Sequence, residues 1–211
     1  MCGRPAEPGE TGGQALEQVA RAYWWPVYGA FRDDQRTPDQ AAALTGQVLA
    51  RVSTAPALLR HGDHDGRLRR LIYALAQDAG ALTQATGSCG DGTAGDSIVD
   101  TAMAEARDVY GGGTPVAMGF RDRWSVVVLE HALESLRREA EAAGRATEVE
   151  RLLPYLARET PDWKVTDLAD AVDSSEVDQL RDTFREAVRQ EVGRTVTHPA
   201  GVASELNELF G

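Results

Sequence analysis

The sequence is poor in cysteine and in long apolar stretches, and it carries no excess of positive charge. Cys2 and Cys89 are the only cysteines in 211 residues, too few for a disulfide framework. No stretch approaches the roughly 20 apolar residues that a membrane helix needs. The formal net charge of −11 disfavours coating of nucleic acid or of an anionic membrane by bulk positive charge. Residues 1–13 are rich in Gly, Pro and Glu without the apolar core of a signal peptide. We therefore expect a cytoplasmic protein with a disordered N-terminal tail, 1–13.

Apolar residues recur every three to four positions along most of the chain, which is the period of an amphipathic helix. The best β-branched run, at residues 126–128, falls inside such a helical period. The sequence therefore predicts an all-α fold. The clearest apolar faces are Leu16, Val19, Ala20, Tyr23, Val27 and Phe31; Leu68, Leu71, Ile72, Leu75 and Ala79; Val126, Leu129, Leu133 and Leu136; and Val177, Leu180, Phe184 and Val188.

Several helix ends have their own signals. Thr37 followed by Pro38 and Gln40 predicts a capping box with proline at the first helical position. Gly144 predicts a C-terminal cap. Thr147 and Glu150 have the spacing of a second capping box, which predicts the start of the next helix.

Two glycine-rich stretches divide the helical regions. We predict a first helical domain over 14–86, a linker over 87–119 with room for a short helix, and a second domain over 120–211. In the second domain, a short helix at 165–172, a tight polar turn and a longer helix from Glu176 predict a helix-turn-helix.

Motifs for catalysis or for a cofactor are weak. His61 and His64 lie among aspartates and could bind a metal, but a polar loop explains them more simply. The match Gly90-x-Gly92-x-x-Gly95 follows a helix and lacks the βαβ context of a dinucleotide site. No nearby base is evident to activate Cys89. We therefore predict no enzyme activity, no metal, no cofactor and no small-molecule substrate.

The order of short motifs resembles the extracytoplasmic-function sigma factors, and most of all a subgroup common in planctomycetes. The resemblance runs from about Leu16 to Phe210. Its pieces are Tyr23-Trp24-Trp25-Pro26-Val27-Tyr28, Thr37-Pro38-Asp39-Gln40-Ala41, Gly66-Arg67-Leu68-Arg69-Arg70-Leu71, Ala104-Glu105-Ala106-Arg107, Thr114-Pro115, Phe120-Arg121-Asp122-Arg123-Trp124, Leu168-Ala169, Thr195-Val196-Thr197-His198-Pro199 and Glu205-Leu206.

This resemblance implies a region-two-like domain that binds the RNA polymerase core and melts promoter DNA. It also implies a region-four-like domain whose recognition helix enters the major groove. The residues that it assigns to DNA are Arg67, Arg69, Arg70, Arg181, Arg185 and Arg189. The residues that we assign to a protein partner are Trp24, Trp25, Thr45 and Gln47. Adjacent Trp24 and Trp25 point about 100° apart on a helix, so one of them is expected at a surface or contact.

The chain departs from the family where the family contacts its partners. The usual Asp-Leu-Thr-Gln pattern of the polymerase-binding helix is replaced by Ala43-Leu44-Thr45-Gly46. There is no Lys or Arg between Leu71 and Gly95, where cations would neutralise phosphates. Residues 176–189 carry four acidic and three basic side chains. Two functions therefore stay open: a sigma factor that directs polymerase to promoters, or a sigma-derived module or regulator that has lost promoter recognition and acts through a protein partner.

Overall fold

The structure is a computed structural model, and it describes residues 22–54, 66–86, 118–156 and 174–211. In these ranges all regular secondary structure is helical, which confirms the predicted all-α class. The one β-bridge among them pairs Arg67 with Val196. The predicted N-terminal tail, the predicted linker up to residue 117 and the predicted helix at 165–172 lie outside the described residues.

The helices follow the apolar periods of the sequence. In chain order they are α1 (22–33), α2 (Pro38–Thr54), α3 (Leu68–Thr86), α4 (Phe120–Ala142), α5 (Ala146–Leu152) with a 3-10 turn at Leu153–Tyr155, α6 (Ser174–Arg194) and α7 (Gly201–Phe210). Among these helices none is both long and apolar enough to cross a membrane.

The chain divides into two compact units. One unit comprises Met1–Val127 together with Thr195–Gly211, and the other comprises Val128–Arg194. The C-terminal helix α7 thus belongs with α1–α3. Backbone hydrogen bonds hold this segment, because Leu68 N–H donates to the Thr195 carbonyl at 2.9 Å and Thr197 N–H donates to the Gly66 carbonyl at 2.8 Å. These bonds join positions far apart in sequence, which local patterns do not reveal.

The core of the first unit is built from the inward faces of its helices. Tyr23 and Trp124 stack with their ring centroids 4.0 Å apart, and Phe120 packs beside Trp124. The buried apolar residues include Trp24, Val27 and Phe31 from α1, Leu44, Val48 and Leu49 from α2, Leu71 and Ile72 from α3, Trp124 from α4 and Leu209 from α7.

A buried arginine crosses this core. Arg123 has only 1% of its side chain exposed and donates to both carboxylate oxygens of Asp33, at 2.7 and 2.9 Å. The guanidinium passes so close to Gly29 that a Cβ at that position would overlap it. Gly29 therefore gives Arg123 the space to reach the end of α1.

Two of the predicted helix ends are confirmed. Thr37 and Gln40 form a reciprocal capping box: Gln40 N–H donates to the Thr37 hydroxyl, and Thr37 N–H donates to the Gln40 side chain. Gly144 adopts a φ of +68°. Around it Arg145 N–H donates to the Ala140 carbonyl and Gly144 N–H donates to the Glu141 carbonyl, the bond pattern of a Schellman motif.

The predicted capping box at Thr147 is wrong. Helix α5 begins at Ala146, and its N-cap residue is Arg145, which makes no side-chain cap. The Schellman motif sets this boundary, because it ends α4 and leads the backbone directly into α5. Thr147 therefore lies inside the first turn of α5.

The second unit has its own apolar core between α4, α5 and α6. Its buried members are Leu136, Ala140, Val149, Leu152, Val177 and Leu180, with Phe184 and Tyr155 packed beside them. The predicted apolar face of α6 is therefore the face that this unit buries.

Candidate functional site

Two arginines at the start of α3 bind carboxylates of α7. Arg69 donates from Nε to Glu205 Oε1 at 2.6 Å and from Nη2 to Glu205 Oε2 at 3.1 Å. The same Nη2 donates to Glu208 Oε2 at 2.6 Å. Arg67 donates to Glu205, to Glu208 and to the Ser204 hydroxyl. We call Arg67, Arg69 and Arg70 the arginine cluster.

The third member of the arginine cluster lies nearer the solvent. Arg70 Nη2 donates to Glu208 Oε1 at 2.7 Å, and both side chains are about one-third exposed. Glu208 thus accepts hydrogen bonds from all three arginines. Gly66, which directly precedes the arginine cluster, has a φ of +68°. A Cβ at Gly66 would overlap the Thr197 hydroxyl.

Burial makes these ion pairs unlike ordinary surface pairs. Glu205 has no exposed surface, and the side chains of Arg67 and Arg69 are 8% and 11% exposed. Burial works against the charged form of Arg69, yet the hydrogen bond to Glu205 leads the interactions that raise its pKa overall. The hydrogen bond from Arg67, helped by Arg69 and Arg70, lowers the pKa of Glu208 to about 2 against an opposing effect of burial. Arg69 and Glu208 are therefore charged at neutral pH.

The predicted DNA-contact residues of α6 form a second feature, which we call the arginine stripe: Arg181, Arg185 and Arg189. Each of them bonds a carboxylate three positions earlier on the same helix. The pairs are Arg181 with Asp178 at 3.3 Å, Arg185 with Asp182 at 2.7 Å and Arg189 with Glu186 at 2.6 Å. Arg181 also donates to the Tyr155 carbonyl at 3.1 Å, and only 17% of its side chain is exposed.

Positive and negative side chains alternate along this part of α6. Every arginine of the stripe has an acidic neighbour within one turn, so no run of positive charge lines up for a phosphate backbone. The pairs of Arg185 and Arg189 are exposed, and exposed pairs typically stabilise a fold by about 0–1 kcal/mol. These two pairs can therefore exchange partners with little cost.

The residues predicted to bind a partner occupy different environments on α1 and α2. Trp24 is 3% exposed and stacks on Tyr28 with ring centroids 4.7 Å apart. Trp25 and Gln47 are half-buried. Thr45 is fully buried, and its hydroxyl donates to the Ala41 carbonyl at 2.7 Å. Trp25 and Gln47 thus have more exposed surface than Trp24 and Thr45.

Sequence reasoning missed the carboxylates that neutralise the arginines. Glu205 appears in the resemblance only as part of Glu205-Leu206, and nothing in that fragment indicates Arg67 or Arg69 as its partner. Glu208 and Ser204 gave no signal at all. For the arginine stripe a signal existed, because Asp178, Asp182 and Glu186 each precede an arginine by three residues.

The second unit also has a shallow cleft of about 90 Å³. Its lining combines apolar side chains, such as Leu136 and Leu152, with the charged Glu139, Glu148, Glu176 and Arg145. Within the described ranges no group of three His, Cys, Asp or Glu side chains could hold a metal ion. His61, His64, Cys89 and the glycine motif at 90–95 lie outside those ranges.

Comparisons of the chain with protein-family models, with curated proteins and with solved structures each found no match. The resemblance to sigma factors therefore stays a prediction from the sequence, and a function for this chain has to be argued from its own residues.

Proposed function

We propose that this protein is a sigma-factor-like regulator that acts through a protein partner, with the RNA polymerase core as the first candidate, and that it does not read promoter DNA. One observation carries the proposal: each of the six arginines predicted to contact DNA bonds a carboxylate of the same chain. A guanidinium paired in this way must give up its partner before it can neutralise a phosphate.

The cost of giving up the partner differs between the two groups of arginines. In the arginine cluster, Arg67 and Arg69 are buried together with Glu205, and removing one partner of a buried pair typically costs about 3–5 kcal/mol. At the exposed Arg185 and Arg189 of the arginine stripe the cost is small, but the carboxylates remain on the helix and repel phosphate. DNA binding is therefore unfavourable at both places for different reasons.

A direct test measures duplex DNA binding by the full chain at about 0.15 M salt. We expect a dissociation constant no tighter than about 10⁻⁶ M, which is the tight end of non-specific binding. The variant Asp178→Asn, Asp182→Asn and Glu186→Gln neutralises the carboxylates that pair with the arginine stripe. It should bind DNA about 10-fold more tightly and with a steeper salt dependence, because three carboxylates no longer repel phosphate.

The matched control changes the same net charge on another helix. Glu134→Gln, Glu139→Gln and Glu141→Gln alter three exposed carboxylates of α4 and should leave DNA binding nearly unchanged. Nanomolar binding of the unmodified chain to a promoter fragment, lost in Arg185→Glu with Arg189→Glu, would contradict the proposal. In the protein arm, co-sedimentation with purified polymerase core tests the first candidate partner.

A working sigma factor is the second candidate, and one observation favours it. Arg185 and Arg189 keep their four-residue spacing, and their side chains are 68% and 56% exposed. Exposed pairs are weak enough to exchange for a phosphate. Transcription from a defined promoter by polymerase core and this chain alone would favour this function over the first.

A further inference from the structure

The shallow cleft of the second unit is lined by residues of α4, α5 and α6. Its charged lining is in contact with solvent, because Glu139 and Arg145 are exposed and Glu148 is half-buried. Its apolar lining belongs to the buried core of this unit: Leu136, Ala140, Val149, Leu152 and Leu180. A group that enters from solvent therefore meets charged side chains before it reaches apolar ones.

The volume of the cleft limits what it can hold. It measures about 90 Å³, whereas pockets for drug-sized molecules measure roughly 300–1,000 Å³. It is also smaller than the cavity of about 150 Å³ that accommodates a benzene ring. An unbranched aliphatic chain of a few carbons fits this volume better than an aromatic ring or a cofactor. The size of the cleft therefore favours one slender side chain as its occupant.

The polar groups of the lining mostly accept hydrogen bonds. The carboxylates of Glu139 and Glu148 bond no other side chain in the described part of the chain. The Thr183 hydroxyl donates its proton to the Gln179 carbonyl at 2.8 Å, so its oxygen is left as an acceptor. A lysine ammonium has three donors and no acceptor. Such a group therefore matches this lining better than a carboxylate does.

The charge of the lining also favours a cation. Glu176 is bonded to Arg151 at 2.8 Å and is left out of the balance. The other charged lining residues, Glu139, Glu148 and Arg145, make no ion pair among the described residues. One guanidinium against two carboxylates leaves a net charge of −1. The cleft is therefore electrostatically complementary to one added positive group.

Glu139 is the carboxylate that most needs a cation. It lies in the last turn of α4, where the partial negative charge of the helix end works against an anion. Glu148 differs, because it lies in the first turn of α5, where a carboxylate is favourable without a ligand. A cation bound at Glu139 would offset the repulsion from the end of α4.

We propose that this cleft is a docking site for a lysine side chain of the protein partner. The aliphatic stem of the lysine packs on the apolar lining, and its ammonium donates to Glu139 and Glu148 near the solvent, the usual arrangement for this side chain. Lysine suits the small volume better than arginine, because its ammonium is compact and a guanidinium is a wider plane. This inference deepens the proposed function and rests on it, because it assigns a surface and a chemistry to the contact with the partner.

The experiment titrates the full chain with the peptide acetyl-Ala-Ala-Lys-Ala-Ala-amide and follows the NMR signals of the Leu152 and Leu180 methyl groups. A control peptide carries norleucine instead of lysine, which keeps the stem and removes the charge. We expect a dissociation constant on the order of 1 mM for the lysine peptide, since a single side chain is held. The norleucine peptide should bind at least about 10-fold more weakly. Equal binding of the two peptides, or tighter binding of an arginine peptide, would overturn the proposal.

Variants of the cleft test the same contact from the other side. Glu139→Gln with Glu148→Gln should weaken binding of the lysine peptide about 10-fold and leave binding of the norleucine peptide unchanged. A matched control chain carries Glu134→Gln with Glu141→Gln, the same charge change at exposed positions of α4, and should bind as the unmodified chain does. Equal loss in both variants would show that only overall charge matters and would overturn the site.

A free amine is the other source of this chemistry, and n-butylammonium tests it. Binding at least about 10-fold tighter than that of the lysine peptide would identify a free amine as the ligand and overturn the assignment to a protein. In co-sedimentation with polymerase core, the Glu139→Gln with Glu148→Gln chain should bind about 10-fold more weakly than the control chain. Equal core binding would reject only the cleft, whereas the proposed function fails separately, by tight DNA binding of the unmodified chain.

Discussion

At the scale of single residues, the buried carboxylate of Glu205 accepts hydrogen bonds from Arg67 and Arg69, which are themselves buried. A charge with no exposed surface is tolerated only when paired and hydrogen-bonded, and Arg67 and Arg69 supply both conditions. Glu208, which is about one-third exposed, accepts hydrogen bonds from the same two arginines and from Arg70. Substitution of Glu205 would therefore leave buried guanidinium groups short of a carboxylate, and the pKa of Glu208 is lowered by its three arginines.

Acid should weaken the first unit through Glu208. Its pKa of about 2 in the folded chain lies below the ordinary value of 4.5, so its ionised form contributes stability above pH 4.5 that is lost as the pH falls toward 2. We expect the unmodified chain to lose about 1 kcal/mol more free energy of unfolding between pH 7 and pH 3 than Glu208→Gln, after allowance for solvent screening. Urea unfolding at both pH values measures this, and Glu134→Gln should show the loss of the unmodified chain.

Single-residue roles were only partly predictable. The sequence marks Arg67, Arg69 and Arg70 as a basic group. The identity of the carboxylates that face them depends on the backbone bonds of Thr195 and Thr197 to the Gly66–Leu68 segment, which no local pattern encodes. Arg123 illustrates the same limit. Its bidentate bond to Asp33 depends on the close passage beside Gly29, and the spacing of these residues gives no indication of that passage.

At the scale of elements, the chain from α4 to α5 shows how one residue sets two helix ends. Gly144 lies in the left-handed region, and a Cβ there would meet nothing within 4 Å. A substitution at this position therefore changes backbone preference without a clash. The boundary that it sets explains why α5 begins before the Thr147 capping signal.

We expect Gly144→Ala to lower the free energy of unfolding by about 1 kcal/mol, because alanine pays a steric penalty in the left-handed region. Gly144→Asn should cost less, since asparagine visits that region more readily. Thermal or urea unfolding of the two variants measures the difference. Equal stability of Gly144→Ala and the natural chain would mean that the turn relaxes to another conformation.

Helices were the most predictable level of this structure. Apolar periods placed the inward faces of α3 and α6, and the reciprocal bonds of Thr37 and Gln40 follow from their spacing alone. In α4 the predicted face is wrong at Leu129, which is 37% exposed, whereas Val127 and Val128 are buried. These features depend on neighbours within one or two turns. The assignment of α7 depends on Glu205 meeting residues more than 130 positions away, and only tertiary packing determines that.

At the scale of the whole molecule, the two compact units have separate cores, and substitutions should report separately. Glu205→Gln should destabilise the first unit by about 3 kcal/mol, because it leaves two buried guanidinium groups with half their carboxylates. Hydrogen exchange should then rise in α3 and α7 and stay unchanged in α5. Gly144→Ala, in the second unit, should raise exchange in α5 and α6 and leave α3 and α7 unchanged, and a uniform rise in either variant would contradict separate cooperative units.

The net charge of −11 has a defined arrangement at this scale. Within the described residues, the cations that the resemblance assigns to DNA are matched by carboxylates from a neighbouring turn or a distant helix. Some of the carboxylates therefore neutralise nearby arginines, and others are exposed to the solvent. Total charge alone could not have distinguished these uses.

The buried ion pair of Arg69 and Glu205 also limits which substitutions evolution can accept at these two positions. A change at either position alone strands a charge inside the protein, so selection should remove it unless the second position changes too. Among homologous sequences, positions 67 and 69 should accordingly vary in concert with 205 and 208, and their joint replacement by apolar residues should be found more often than the loss of one member.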